Sequence, residues 1–221
     1  MVSRFPLASQ RKPAQRPTGP GRPKDLGKRA AILEAAKQLF AKEGFAGVSM
    51  DKIAAEAGVS KLTVYSHFGD KEALFAAAIR AKCEEAMPHA LFELELKGPL
   101  RAQLTAIAKA FFSLVSSEEA ISTQRMLIAL GDTEDPIKRL FLEAGPQPTL
   151  DAFAAFLRAR VEAHELDIPD VARAAGQFFS LVKGDQYMNM ICGLCQRPPR
   201  GDLAAHIEAT VDVFLRAYAV R

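Results

Sequence analysis

The segment that follows Ser60 carries the side chains best suited to chemistry with another molecule. Its run Lys61-Leu62-Thr63-Val64-Tyr65-Ser66-His67-Phe68 fits one short helix. The polar atoms that this helix offers outward belong to Lys61, Thr63, Tyr65 and His67. Leu62 can turn its apolar atoms inward, as can parts of the residues after it. Side chains of these polar types donate the hydrogen bonds that phosphates and base edges accept, so the predicted chemistry is noncovalent binding of DNA.

Two helices joined by a tight turn must position this segment. Ser49 is a good N-cap for the first helix, and Asp51 lies near that helix's positive end. Gly58 follows the helix at a position where a positive φ angle is wanted, and Ser60 caps the second helix. An apolar face at helical spacing is formed by Met50, Ile53, Ala54 and Ala57. The pattern over residues 49–71 predicts a helix-turn-helix.

Flanking helices must complete the core of so small a motif. Residues 28–43 predict a preceding helix that ends at Gly44. Its apolar face is formed by Ala31, Ile32, Ala35, Leu39 and Phe40. Gly69 ends the second helix of the motif, and Asp70 caps a fourth helix. We therefore expect a three-helix domain over residues 28–70, joined through helix 4 to the rest of the chain.

Residues 28–86 resemble the DNA-binding domain of the TetR/AcrR family of bacterial transcriptional regulators. The resemblance rests on the segment LFAKEGFAGVSMDKIAAEAGVSKLTVYSHFGDKEALF, in which the turn, the second helix and the G-D-K start of helix 4 occur together. It implies that the DNA contacts come from Ser49, Lys61, Leu62, Thr63, Tyr65, Ser66, His67 and Lys71.

The resemblance also implies separate roles within that set. The residues that face bases or nearby backbone in the major groove would be Lys61, Leu62, Thr63 and His67. Lys61 would be the best placed to read guanine. Tyr65 would contact a phosphate through its hydroxyl, while Ser49 and Lys71 would hold phosphates at helix N-termini.

Basic charge is concentrated at the end of the chain where DNA contact is predicted. The net charge is +6 over residues 1–86 and −3 over residues 87–221. This distribution suits the release of counterions from a phosphate backbone. Residues 1–27 are rich in Pro, Gly, Arg and Lys and are expected to form a disordered arm. Within the segment Pro20-Gly21-Arg22-Pro23, Arg22 is predicted to reach the minor groove.

Every strong pattern beyond residue 70 is helical, and no alternation typical of strands is present. Helix 4 is expected from about residue 71 to about residue 94, kinked or split at Pro88. Further helices are predicted to begin near residues 100, 118, 135, 150, 168 and 201. The predicted fold is all-α, with a larger helical domain over residues 71–221 after the helix-turn-helix domain.

The resemblance implies that the larger domain forms a homodimer. Members of the family dimerise through their last two helices. The small residues that flank the bulky ones there are Ala172, Ala174, Ala175, Gly176, Ala204, Ala205 and Ala209. The interface residues expected on this basis are Phe178, Phe179, Val182, Ile207, Val211 and Phe214. A dimer would read two half-sites of a palindromic operator together.

An apolar effector pocket is the second expectation for the larger domain. The middle helices are rich in Phe and Met, which suit such a pocket and suit an ordinary core equally. The candidate pocket residues are Phe111, Phe112, Met126, Phe141, Phe153 and Phe156. The identity of the effector is not encoded in any motif.

Other chemistries have weaker support in the sequence. Cys192 and Cys195 form a C-x-x-C motif, which suits a redox pair, half of a zinc site or two reduced thiols near a helix end. No further metal ligands lie close to the motif, so no metal or cofactor is expected. A catalytic motif is also missing from the sequence, and an enzyme is not expected.

These observations predict a ligand-responsive transcriptional regulator, most simply a repressor. It would bind operator DNA as a homodimer and be released by a small apolar or amphipathic effector. A cytoplasmic location is expected, because no apolar run reaches about 18 residues and the N-terminus lacks the apolar region of a signal peptide. The alternatives are an activator, a thiol redox-sensing regulator that uses Cys192 and Cys195, and a DNA binder without sequence preference.

Overall fold

The computed structural model describes residues 26–93, 98–132, 135–196 and 200–220, without the side chain of Arg200. The helices are α1 (Leu26–Gly47), α2 (Met50–Glu56), α3 (Lys61–Phe68), α4 (Lys71–Ala86), α5 (Leu100–Val115), α6 (Glu118–Ala129), α7 (Pro136–Ala144), α8 (Pro146–Glu162), α9 (Val171–Ile191) and α10 (Arg200–Tyr218). The predicted all-α fold is confirmed. No helix in the described ranges is long and apolar enough to cross a membrane.

The predicted N-terminal arm falls almost entirely outside the described residues. Only residues 26 and 27 of the arm are described, and they begin α1. Arg22, the predicted minor-groove contact, lies outside the described part of the chain.

Side-chain caps and a glycine turn build the helix-turn-helix as predicted. The Lys52 amide donates to Ser49 Oγ at 3.2 Å, and the Thr63 amide donates to Ser60 Oγ at 3.2 Å. Each serine side chain therefore accepts from an N–H in the first turn of its helix, where no carbonyl four residues earlier in the same helix is available. Gly58, between α2 and α3, has a φ angle of +64°. A residue with a Cβ adopts this conformation only at a cost in backbone strain.

The first four helices enclose a small apolar core. Its fully or almost fully buried members include Ile32, Ile53, Val64, Leu74 and Phe75. Phe75 packs edge-on against Phe40 and Phe45, with ring centroids 5.2 and 5.3 Å apart. Ile137 of α7 is buried in the same core. The second half of the chain therefore helps to complete the N-terminal domain.

Helix α4 links the two halves of the molecule. Asp70 caps its start by accepting a hydrogen bond from the Ala73 amide at 2.7 Å. The helix ends at Ala86, earlier than predicted, because Pro88 lacks an N–H and disfavours helical geometry in the residue before it. A short 3-10 turn at His89–Phe92 follows, and α5 begins after Pro99.

The C-terminal half has its own aromatic core, enclosed by α5, α8, α9 and α10. The largest fully buried side chains in it are Phe112, Phe153, Phe156, Phe178 and Phe214. The Phe153 ring lies 4.9 Å from the Phe178 ring and 4.8 Å from the Phe179 ring, measured between centroids. Burial of each such side chain stabilises the fold by about 1.5–3 kcal/mol.

Helix α9 is interrupted at Gly184, whose φ of +53° and ψ of −163° are not helical. His206 of α10 occupies the space beside this residue, because a Cβ on Gly184 would lie 2.7 Å from His206 Cε1. The His206 Nε2 donates to the Val182 carbonyl at 3.1 Å and so satisfies an acceptor next to the interruption. This contact fixes α9 against α10.

Candidate functional site

Helix α3 presents a mixed polar and apolar surface. Its exposed side chains are those of Lys61, Leu62, Tyr65 and Ser66. Leu62 has 78% of its surface exposed, although the sequence pattern allowed an inward apolar contact for it. Val64 is fully buried and anchors the helix, whereas Thr63 and His67 are half-buried. An outward leucine is suited to contact with the methyl group of thymine.

Lys61 is held by an acidic residue of the preceding helix. Its ammonium lies 2.9 Å from a carboxylate oxygen of Asp51, and both side chains are more than half exposed. The hydrogen bond to Asp51, with the charge of that carboxylate, raises the pKa of Lys61. Lys61 therefore stays positively charged and points from the start of α3 toward the first helix of the motif.

Several hydroxyl groups of this surface are used inside the motif. The Ser60 and Thr63 hydroxyl oxygens are 2.8 Å apart, and Ser66 Oγ donates to the Thr63 carbonyl at 2.8 Å. Nδ1 of His67 is buried, with no hydrogen-bond partner among the described residues. Tyr65 differs from these residues, since its side chain is 42% exposed.

The starts of α2 and α4 lie on either side of α3 in sequence. Lys71 Nζ donates to the Val48 carbonyl at 2.9 Å and lies 4.2 Å from the centre of the Phe45 ring. The ammonium thus ties the start of α4 to the residue before Ser49, the N-cap of α2. Ser49 is exposed, and its hydroxyl accepts from the Lys52 amide.

A cavity of about 570 Å³ lies between the helix-turn-helix domain and the C-terminal core. We call it the interdomain cavity. Helices α1 and α4 form one side of its walls, with Phe40, Phe75 and Ile79 among their apolar residues, and α5 to α9 form the other side. Its volume suits a small molecule, and its walls combine apolar and aromatic side chains with charged and polar ones that could orient a ligand.

The structure brings together only part of the predicted effector site. Phe111 and Phe141 line the interdomain cavity. The other four candidates do not: Phe112, Phe153 and Phe156 are buried in the aromatic core. Met126 lies against α1 instead, where its sulfur accepts from the Phe45 amide at 3.2 Å.

One face of α9 supplies cavity residues that the sequence analysis missed. They are Gly176, Phe179, Ser180, Lys183 and Tyr187. Their positions follow the pattern i, i+3, i+4, i+7 and i+11 of a single helical face, so periodicity could have grouped them. Burial lowers the pKa of Lys183 and raises the pKa of Tyr187. These opposite directions have one cause, since each charged form is disfavoured where water is scarce.

The residues predicted for the dimer interface are all buried within one protomer. They are Phe178, Phe179, Val182, Ile207, Val211 and Phe214. They belong to the protomer's own core and leave almost no surface for a second chain. The same two helices do expose other apolar side chains, Leu181 at 43% and Val213 at 54%. Exposed small residues lie on these helices too, namely Ala172, Ala205, Ala209 and Ala217.

The three cysteines are free thiols. Cys192 is exposed and Cys195 is half-buried, both just beyond the end of α9. Cys83 lines the interdomain cavity, and burial raises the pKa of its thiol. Among the described residues, no group of three His, Cys, Asp or Glu side chains could hold a metal ion.

Two protein families match the chain. The family described as "Bacterial regulatory proteins, tetR family" matches residues 32–78. The family described as "AefR-like transcriptional repressor, C-terminal domain" matches residues 102–220, which is more than half of the chain.

Two solved structures are similar over most of their length. A TetR-family regulator from Mesorhizobium loti has a TM-score of 0.75 and is 26% identical, over 90% of this chain and 100% of its own. The flavonoid-responsive regulator FrrA has a TM-score of 0.68 and is 34% identical, over 88% of this chain and 98% of its own.

Similarity to curated relatives is less extensive. The transcriptional activator FasR of Mycolicibacterium smegmatis is 30% identical over 115 residues, which is 50% of this chain. The chain spans about half the length of that relative, 52%.

Proposed function

Because the chain belongs to the TetR family of bacterial regulatory proteins, we propose that it represses transcription by binding a palindromic operator as a homodimer in the cytoplasm. A small apolar or amphipathic effector releases it from the DNA. Repression is supported by the matched C-terminal family, which is described as that of a repressor. Activation is the alternative, since a relative of this chain is an activator.

The composition of the cavity walls is the observation that carries effector control. Phe40 of α1 and Phe75 of α4 line the interdomain cavity and also belong to the core of the helix-turn-helix domain. A molecule in the cavity therefore contacts the same side chains that set the packing of the DNA-binding helices. The effector shifts DNA binding only because it binds two arrangements of these helices with different affinity.

Helix α6 offers a second connection from the cavity to α1. Ser122 Oγ donates to the Ala41 carbonyl at 2.5 Å, and Met126 accepts from the Phe45 amide. Thr123, next to Ser122, lines the cavity. Movement of α6 on effector binding would thus move the end of α1.

On the DNA, the exposed surface of α3 enters the major groove. Base edges or nearby backbone meet Lys61, Leu62, Thr63 and His67. The hydroxyl of Tyr65 faces a phosphate, as does that of Ser49 at the start of α2, and Ser66 lies on the same surface with its hydroxyl hydrogen donated to the Thr63 carbonyl. Lys71 supports the phosphate contact of Ser49 as well as making its own, because its ammonium holds Val48, the residue before Ser49, in place. Arg22 adds a minor-groove contact.

The homodimer forms through the exposed face of α9 and α10 rather than through the core residues of those helices. Leu181 and Val213 supply its apolar contacts, and Ala172, Ala209 and Ala217 allow close approach of the partner helices. Two copies of α3 then reach successive half-sites of one operator.

The test is fluorescence anisotropy of the purified chain on two duplexes across a series of salt concentrations. One duplex carries the DNA upstream of its own gene, and the other carries the same bases scrambled. We expect the first to bind about a thousandfold more tightly or better, and both to weaken steeply as salt rises. Equal affinity would argue for a DNA binder without sequence preference, and no binding to either duplex would refute DNA binding.

The same assay tests the thiol alternative. Oxidation of Cys192 and Cys195 should leave the affinity for the preferred duplex unchanged if a small molecule is the trigger. A large loss of affinity on oxidation, reversed by a reductant, would favour the redox sensor instead.

A further inference from the structure

Lys183 stands apart from the other charged residues of the interdomain cavity. It lies on the cavity-facing side of α9, directly before the interruption at Gly184. Its ammonium is 5.9 Å from the centre of the Phe111 ring and 5.4 Å from the centre of the Tyr187 ring. The immediate surroundings of this cation are therefore aromatic.

The other two cavity lysines are already neutralised by carboxylates. Lys37 lies 2.8 Å from Glu34 and 2.7 Å from Glu85, and Lys82 lies 3.2 Å from Glu119. All three glutamates also line the cavity, and their side chains are about half exposed. Lys183 has no carboxylate within ion-pair distance in the described ranges.

An ammonium in such a position is incompletely compensated. Burial lowers the pKa of Lys183, as expected where the charged form loses contact with water. Aromatic faces attract a cation, but this attraction replaces only part of its lost hydration. An anion placed beside Lys183 would supply the missing partner.

The neighbouring rings indicate the shape of that partner. Phe111 and Phe179 are stacked, with centroids 4.0 Å apart and planes 18° from parallel, and both line the cavity. Each ring covers one face of the other, so an aromatic ligand would pack against the outer side of this pair, where a flat apolar body makes the most contact. Tyr187, half-buried beside the ammonium, adds a phenolic hydroxyl that can donate to the same anion.

We propose that the interdomain cavity binds a planar aromatic molecule with one acidic group, and that Lys183 is the counter-ion of that group. The acidic group is a carboxylate or an ionised phenol, and the aromatic body packs against Phe111 and Phe179. This inference rests on the proposed function, in which the same cavity holds the effector.

The proposal is tested with matched pairs of probes and isothermal titration calorimetry on the full chain. The first pair is 2-naphthoate and its neutral analogue 2-naphthamide. The second is 4-nitrophenolate and 4-nitroanisole, which cannot ionise. We expect each anion to bind about tenfold more tightly than its neutral partner, the range of a charge-assisted hydrogen bond that water partly screens. A preference in the first pair alone would support the proposal and narrow the acidic group to a carboxylate.

Substitutions assign the preference to one residue. Lys183→Met keeps the aliphatic stem but removes the charge, so naphthoate and naphthamide should bind with equal affinity. Lys183→Arg keeps the charge and should keep the preference. The matched control is Lys109→Met, because Lys109 is an exposed lysine of α5 that does not line the cavity. This control should leave the preference intact. Retained binding of naphthamide to Lys183→Met would show that the cavity is still formed.

The outcomes separate this inference from the proposed function. An undiminished preference in Lys183→Met, or no preference in the unsubstituted chain, would overturn the role of Lys183. Failure of every probe to bind would overturn the aromatic acid as ligand class, while operator binding would still stand on its own assay. Naphthoate that binds through Lys183 but leaves operator affinity unchanged would support the site and refute its control of DNA binding.

Discussion

The DNA-binding end of the molecule and the interdomain cavity are built by different kinds of interaction. The helix-turn-helix is fixed by contacts between residues close in sequence, such as Ser60 with the Thr63 amide and Ser49 with the Lys52 amide. The cavity is enclosed by seven helices, from α1 to α9, that are far apart in sequence. Local interactions thus set the shape of the helix-turn-helix, and long-range packing sets the shape of the interdomain cavity.

The largest effect predicted from this comparison is on the long-range packing. Phe153→Ala should lower the free energy of unfolding by about 3–5 kcal/mol, because Phe153 is fully buried between the Phe178 and Phe179 rings. Chemical denaturation would measure it. Phe92→Ala is the control. Because Phe92 is only half-buried, its replacement should lower the free energy of unfolding much less. Similar losses for both would show that this core is not the main source of stability.

A smaller effect is expected when the local geometry of the motif is changed. Gly58→Val should cost about 1–3 kcal/mol, because a β-branched residue is strained at a φ of +64°. Apart from the adjoining residues, no heavy atom lies within 4 Å of a Cβ at this position, so the Cβ itself meets no clash and the expected cost is that of the backbone conformation. Gly58→Asn should be nearly neutral, since asparagine tolerates this region. Thermal unfolding of both variants would measure these changes in stability. Equal losses of stability in the two variants would point to a steric clash instead of backbone strain.

The third prediction concerns how the motif reads bases. Lys61→Ala should relax the choice of base at one operator position by about tenfold to a hundredfold, measured by selection from a randomised duplex. Tyr65→Phe should weaken all sites alike, because a phosphate contact carries no sequence information. Lys109→Ala removes an exposed charge on α5 and should leave selectivity unchanged. A base-specific loss from Tyr65→Phe would contradict its phosphate role.

The smallest effect is expected inside the cavity. Lys183→Met should raise the free energy of unfolding at neutral pH by about 0.5 kcal/mol, a modest gain because water still reaches the ammonium. The folded-state pKa of Lys183 is lowered from its ordinary value of 10.5. At pH values between the lowered pKa and 10.5, the unfolded chain therefore binds more protons than the folded chain. The stability of the unsubstituted chain should therefore rise relative to the variant across that window. A constant difference from neutral pH to pH 10.5 would show that the ammonium is not the cause.

The same contrast explains what could be predicted from the sequence. The capping serines, Gly58 and the ends of α3 were predicted correctly, because each depends on residues a few positions away. Phe111 and Phe112 are neighbours of the same type, yet the first lines the cavity and the second is buried in the aromatic core. Only the packing of distant helices separates them.

The outward faces of α9 and α10 also could not be predicted from local sequence. Phe178 and Leu181 are both apolar residues of α9, and the sequence favoured the bulkier one for the dimer interface. The structure buries Phe178 within the protomer and exposes Leu181. Which side of an apolar helix is covered depends on where α5, α8 and α10 pack, and no local pattern encodes that.

Helix α9 has one further consequence, because its two sides serve different purposes. Lys183 and Phe179 face the interdomain cavity, while Leu181 between them in sequence faces away from the core. In a dimer formed through the outward side, one helix from each chain separates the two cavities. If an effector in one cavity moves α9, it would also move the surface on which the partner's helix rests. Effector titrations of the dimer should accordingly depart from a simple hyperbola, with a Hill coefficient that differs from one and does not exceed two.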